Sequence, residues 1–290
     1  MRSLRFLTPL LLLAASCGPT TVIPTTAPPT SSAVSATTVT SPPGDNVEVL
    51  RVFDGDSLLA LTEGGSELEV RLLGINAPEH DECHGDESRQ TLQDRLSGGI
   101  ATLVADEDDQ DQFGRSLRYL YVAGVNVNLD LVQSGDALAI QTGHSLDEAF
   151  ANSSDIAAET GRGMWAPGAC GGSGDLPLVA VVDFVFDPRG RDADNLNGEW
   201  IAIANEGSES QVMSGWLLRD ESTQNRFEFP NGFVLNGGDE VLVRTGCGSD
   251  SSGELYWCAT DPVWSNGGDT IVVQQSDGTV VARHRYAGEF

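Results

Sequence analysis

The stretch RVFDGDSLLALTEGGSELEVRLLGINAPE, residues 51–79, decides how the rest of the chain is read. Residues 47–53 and 57–61 are short, β-rich apolar runs on either side of Asp54-Gly55-Asp56. Glu63-Gly64-Gly65-Ser66 is a hairpin signal. Residues 67–75 then alternate as a half-buried strand does and carry Arg71. The stretch ends in Asn76-Ala77-Pro78-Glu79. Acids, an amide and one arginine thus recur at strand ends, where side chains can converge on one site.

Working outward, residues 86–96 have helical spacing, ended by Gly98-Gly99. Residues 100–105 and 117–123 read as two more strands, and 127–134 and 146–160 as helices closed by Gly135 and Gly161. Strands with helices inserted between and after them predict a small α+β barrel of the five-stranded OB type over residues 47–170. A glycine-rich linker, 171–177, follows. From 178 to 290 the pattern changes to short strands: 178–186, 199–204, 212–218, 226–229, 240–245, 254–257, 270–275 and 280–285. Turn signals such as Asn231-Gly232 and Asp277-Gly278 separate them, and no helix is expected there. This predicts a β-sandwich.

Upstream, residues 1–17 carry Arg2 and Arg5, an apolar run too short to span a membrane, and small residues before Cys17. This resembles the export signal of bacterial lipoproteins, in which the cysteine is acylated. Two readings stand: Cys17 as a lipid anchor on the outer face of a cell membrane, or ordinary secretion with Cys17 removed with the leader. Residues 18–46, rich in Thr, Pro, Ser and Ala and nearly free of charge, lack the apolar content to fold and read as a disordered stalk. In an oxidising compartment the other four cysteines pair by position: Cys83 with Cys170 around the first domain, and Cys247 with Cys258 around one loop of the second. Their scattered spacing argues against zinc.

Forty-three acids face sixteen bases, all of them arginine, for a net charge of -27. Such a chain cannot hold nucleic acid through a broad basic surface. To act on a phosphate it needs a focused cationic site with a metal ion. A phosphodiester is attacked when a cation and donors neutralise its oxygens and a base activates water. Asp56 and Asn76 offer oxygens to a hard cation such as calcium. Glu79 can take a proton from water. Arg71 and Arg115 are planar forks for phosphate.

The ordered runs Val52-Phe53-Asp54-Gly55-Asp56-Ser57, Val70-Arg71-Leu72-Leu73-Gly74-Ile75-Asn76-Ala77-Pro78-Glu79, Asp111-Gln112-Phe113-Gly114-Arg115 and 161–165 resemble the staphylococcal nuclease (thermonuclease) family across the first domain. The resemblance implies an OB-fold, calcium dependence and cleavage of DNA or RNA by water, with the 5′-oxygen leaving. It implies Asp56, Asn76 and the Ala77 carbonyl as metal ligands, Glu79 as general base, and Arg71 and Arg115 as catalytic arginines. The family has an aspartate where Asn76 stands, a tyrosine at Phe113, a lysine at Gln112 and base-contacting tyrosines near Gln141 and Thr142. In the second domain, Asn197-Gly198-Glu199-Trp200-Ile201, Ser214-Gly215-Trp216-Leu217-Leu218-Arg219-Asp220, Phe227-Glu228-Phe229-Pro230 and Trp264-Ser265-Asn266-Gly267-Gly268-Asp269-Thr270 resemble the lamin-tail domain. That implies an immunoglobulin-like sandwich and no catalytic residues.

The acidic run 106–111 lacks an EF-hand layout and reads as a solvated loop, His80 and His84 as bystanders, and the tryptophans of the second domain as sandwich core or rim. The expected protein is an exported, monomeric, calcium-dependent nuclease whose substrate is DNA or RNA. The rival reading is a nuclease-fold surface module without catalysis, supported by Asn76 and the net charge.

Overall fold

In a computed structural model of the chain, residues 42–97, 99–171, 176–222 and 224–288 are described. The expected export signal with Cys17, the expected stalk up to residue 41 and residues 172–175 of the expected linker lie outside them. The described residues cluster as one unit.

The first domain has strands β1 (Asp45–Val52), β2 (Ser57–Thr62), β3 (Glu67–Leu72), β4 (Ile75–Asn76), β5 (Ala101–Val104), β6 (Ser116–Val122), β7 (Val125–Asn126) and β8 (Leu138–Ala139). Its helices are α1 (Gly85–Leu96), α2 (Val127–Ser134) and α3 (Asp147–Glu159). The sheet runs β3-β2-β1-β5-β6-β7, and a further parallel pairing of β3 with β6 closes five strands into a barrel. A register shift in β1 between Val49 and Arg51 curls the sheet toward closure. Alternation does the rest. Leu58 and Ala60 of β2 and Val70 and Leu72 of β3 turn inward, where they meet Leu120, Leu131 and Phe150. Asn126 caps α2 by accepting from the Leu129 N–H. This is the OB-type barrel expected from the strand order.

The second domain adds β9 (Val179–Val185), β10 (Trp200–Asn205), β11 (Gln211–Val212), β12 (Leu217–Arg219), β13 (Arg226–Glu228), β14 (Val234–Leu235), β15 (Glu240–Arg244), β16 (Glu254–Tyr256), β17 (Gly268–Gln274) and β18 (Val280–Ala287). Sheets β16-β15-β10-β9 and β13-β12-β17-β18 face each other across Ile201, Ile203, Leu218, Phe229, Val241, Ile271 and Val273. The immunoglobulin-like sandwich therefore stands. Trp216 and Trp264 are buried in its core, with Trp257 packed beside them.

Two expected strands are broken. Residues 67–75 do not form one strand: β3 stops at Leu72, and Gly74 (φ +75°) turns the chain so that Ile75 and Asn76 pair instead with Ala139 and Leu138. A Cβ on Gly74 would lie 2.1 Å from His144 Nε2, so the turn admits only glycine. Residues 212–218 likewise split into β11 and β12 around Met213–Trp216, where the Trp216 N–H closes a turn on the Met213 carbonyl. The second domain also contains one-turn 3-10 segments, Asp192–Asp194 and Leu196–Gly198, where no helix is expected.

The disulfides Cys83–Cys170 and Cys247–Cys258 form as paired by position. The domains are also joined by polar contacts. Asp155 of α3 takes Arg283 at 2.7 Å and Arg285 at 2.6 Å, and Arg283 stacks over Trp165. Arg226 pairs with Glu82. Among the described residues no helix is long and apolar enough to cross a membrane.

Candidate active site

The site begins at the turn before β2. The Asp56 N–H bonds Asp54 Oδ1 at 2.9 Å, which tightens the turn. Gly55 is required by close packing, since a Cβ there would lie 1.8 Å from Ser88 Oγ and 2.7 Å from the Ala77 methyl. The turn buries Asp56 at the mouth of the barrel. Its Oδ1 accepts from Ser57 Oγ at 2.8 Å, and its Oδ2 from the Ala77 N–H at 2.6 Å. Burial pushes the Asp56 carboxyl well above the usual carboxylate range, and the Arg71 guanidinium only partly offsets it.

Arg71 leaves the end of β3 pointing into the same space. One terminal nitrogen donates to the carbonyls of Leu72 (3.0 Å) and Ile75 (2.7 Å). The other lies 3.0 Å from Asp56 Oδ2 and donates to Asn76 Oδ1 at 3.1 Å. Only the Gly74 turn makes this possible, because it folds Asn76 back over Arg71. Asn76 is buried, and its Nδ2 donates to the backbone carbonyl of Glu221 in the second domain at 2.8 Å.

Glu79 follows on an exposed loop whose N–H bonds Glu82 Oε2 at 3.0 Å. Partial burial and then the charges of Asp54 and Glu82 raise its pKa, with Arg71 and Arg226 opposing. A carboxyl poised above its ordinary value is suited to proton abstraction. Arg115, just before β6, is held by Asp111. The carboxylate accepts from its backbone N–H (2.9 Å) and from Nε (2.7 Å), and the guanidinium lies over Phe113.

Asp54, Asp56, Arg71, Asn76, Glu79 and Arg115 all line one cavity of about 420 Å³. Phe113, Thr142 and Gln112 form more of its wall, as do Ser222 and Gln224 from the second domain. All six stand in the sequence motifs, Asp54 without an expected role, whereas Glu221, Ser222 and Gln224 belong to no expected site. The Asp54-Gly55-Asp56 pair signalled the former. Nothing local signals the latter, which meet the site across some 145 residues of chain.

The acidic run is largely exposed, as expected of a solvated loop, with Asp106 and Asp111 half-buried at its ends. Asp106 accepts from the Ser145 N–H and the Tyr119 hydroxyl, which hold it at about 2. Asp109, itself exposed, pairs with Arg118, and Asp111 with Arg115, while Glu107 and Asp108 are exposed. His80 and His84 are engaged by Asp86 and Asp136.

Among the described residues no group of three or more His, Cys, Asp or Glu side chains is arranged to hold a metal. The donors at hand are one buried carboxylate, one amide oxygen and backbone oxygen. They nevertheless fit a hard cation: Asp56 Oδ2 and Asn76 Oδ1 already converge on one positive group, the Arg71 guanidinium. The raised Asp56 carboxyl further marks a site where one positive charge does not balance burial.

Comparison with known proteins agrees with both halves of the fold. The staphylococcal nuclease homologue family matches residues 69–167, and the lamin tail domain matches 177–288. An "uncharacterized endonuclease" of Haemophilus influenzae is 33% identical over 118 residues, covering 41% of this chain and 65% of that protein. A thermonuclease of Staphylococcus intermedius is 27% identical over 106 residues, 34% of this chain and 62% of that protein. A micrococcal nuclease of Shigella flexneri is 33% identical over 101 residues, 32% of this chain and 56% of that protein. The chain thus spans less than two thirds of the length of these relatives.

Proposed function

Since the chain carries a staphylococcal nuclease homologue domain ahead of a lamin tail domain, we propose that it is an exported, calcium-dependent nuclease that hydrolyses phosphodiester bonds of DNA or RNA. The observation that carries this reading is the gathering of Arg71, Glu79 and Arg115 with Asp56 and Asn76 around one cavity. Asp56, the Asn76 amide oxygen and the Ala77 carbonyl would hold calcium. Bound there, calcium supplies charge neutralisation to a phosphate oxygen.

The protein's own groups perform the remaining work. Arg71 and Arg115 bind the non-bridging phosphate oxygens from two sides and stabilise the charge that builds on them. Glu79 takes a proton from the attacking water as its oxygen bonds phosphorus; the bond to the 5′-oxygen breaks with its electron pair on that oxygen, which takes up a proton from solvent as it leaves. Asp111 orients Arg115 by holding Nε. The chain as a whole carries a net charge of -27, so substrate is drawn by the site rather than by a wide basic field.

The test is incubation of residues 47–290 with heat-denatured DNA, in calcium and then in chelator. Calcium-dependent cleavage is expected, and Glu79→Gln lowers it by a factor on the order of 10² to 10⁴. Absence of cleavage across millimolar calcium would sink the enzyme reading in favour of a non-catalytic surface module. Export is tested in cells: a Cys17→Ala chain that still partitions with membranes would rule out acylation as the tether.

A further inference from the structure

The second domain reaches the corner of the first that holds Asp56, Arg71 and Asn76. The turn after β12 places the Glu221 carbonyl 2.8 Å from Asn76 Nδ2. A carbonyl oxygen only accepts, so it can face only the NH₂ end of the amide. The other end, Oδ1, is thereby turned inward to Arg71 and Asp56. Glu221 is itself pinned. Its Oε2 accepts from the Thr270 N–H of β17 at 2.8 Å, and its Oε1 from the Gln141 N–H at 3.2 Å. Gln141 lies two residues beyond β8, the strand that pairs with Asn76. Glu221 therefore clamps Asn76 and its strand partner to the sandwich from one buried position.

A second contact acts on the same segment from its other end. Arg226 pairs with Glu82 Oε1, and Glu82 Oε2 receives the Glu79 N–H. The sandwich thus holds both ends of the run from Asn76 to Glu79.

We infer that the lamin tail domain is a positioning part of the cation site: the Glu221 carbonyl fixes the Asn76 amide with its oxygen toward the cation. This rests on the calcium reading of the site. It also gives a physical reason for asparagine at position 76. A carboxylate there would set an oxygen in place of Nδ2, against the Glu221 carbonyl at the same 2.8 Å with no proton between them. Two acceptors so placed repel, so the added charge that would favour a cation instead opposes docking of the sandwich.

The experiment titrates calcium into the full-length, chelator-stripped protein by calorimetry, without nucleic acid, alongside thermal melting. Glu221→Ala keeps the backbone carbonyl but removes the two side-chain hydrogen bonds, from the Thr270 and Gln141 N–H groups, that pin it against Asn76, and should raise the calcium Kd about fivefold, the free energy of one ordinary hydrogen bond. Asn76→Asp should leave calcium binding no tighter, despite its extra charge. Arg285→Ala weakens the same domain interface away from the cavity; it should lower the melting temperature and leave Kd within about twofold, as expected when sites share no partner. A purely structural interface would instead lower the melting temperature in Glu221→Ala and Arg285→Ala and move Kd in neither, and would leave Asn76→Asp free to bind calcium more tightly. Two results overturn the inference alone: unchanged Kd in a folded Glu221→Ala protein that binds calcium, or an Asn76→Asp protein that binds calcium about tenfold tighter, as a bare added charge would give. A wild-type chain that binds no calcium overturns the calcium reading, and this inference with it.

Discussion

Arg71 and Asp56 form a buried pair whose two members should not be equally costly to remove. Both side chains are largely buried, 13% and 6% exposed. Arg71→Met would strip the guanidinium that pairs with a carboxylate that burial already destabilises, and it would free the Leu72 and Ile75 carbonyls of their donor. Leaving a buried charge unpaired costs about 3–5 kcal/mol. Asp56→Asn leaves Arg71 with three acceptors, the carbonyls of Leu72 and Ile75 and Asn76 Oδ1. An asparagine oxygen can still accept from the Ala77 N–H. The loss is then one charge-assisted bond, about 1.5–3 kcal/mol. The cost of Arg71→Met is also capped, because Asp56 can escape by taking up a proton. Hence Arg71→Met should be markedly more destabilising than Asp56→Asn in mildly alkaline buffer, with the gap narrowing in mild acid. The double variant should cost less than the sum of the two. Urea unfolding of the calcium-free chain, followed by circular dichroism, measures all three. Equal costs for the single variants, or additive costs in the double variant, would refute the assignment of a buried, mutually dependent pair.

Acid should loosen the domain interface. Burial opposes ionisation of Asp155, but hydrogen bonds from Arg285 and Arg283 outweigh it and hold its pKa below the ordinary 3.8. A depressed carboxyl contributes stability that is complete above the ordinary value and is lost as pH falls through the lower folded value. Stability of the wild type should therefore decline below about pH 4, and Asp155→Asn, less stable at neutral pH, should show a flatter decline in acid melting curves. The two disulfides should differ in weight. Cys83–Cys170 spans 87 residues and Cys247–Cys258 spans 11, so chain-entropy loss in the unfolded state predicts about 4.5 against about 3 kcal/mol. Paired serine substitutions compared by denaturation check the order, and a larger loss from the shorter loop would contradict it.

Much of the fold was legible locally. The apolar run of β2, the alternation of β3, the Gly65 hairpin and the glycine after α2 follow from side-chain pattern and turn chemistry, which neighbours in sequence determine. The breaks in the strands were not legible, for a shared reason. Leu73-Gly74 looks like strand by composition, but His144 fills the space that any side chain at 74 would need, and His144 is brought there by packing. The Met213–Trp216 turn is closed because Met213 and Trp216 are both buried in the sandwich core, which composition alone does not reveal.

For the 51–79 stretch, the sequence by itself determined the chemical inventory: Asp56, Arg71, Asn76 and Glu79 in that order, with Arg115 downstream, on strand ends of a closed barrel. Residue types and period are carried by the chain and need no partner to be read. The tertiary structure decided how the inventory is used. It turned Arg71 onto Asp56 and Asn76, tied Arg115 to Asp111, and brought Glu221 from a separate sandwich to the Asn76 amide. The asparagine that looked only like a lost charge became one end of a contact between domains. Hydrogen bonds are short and directional, so which way an amide faces depends on what packing places within 3 Å of it, and no spacing along the chain records that.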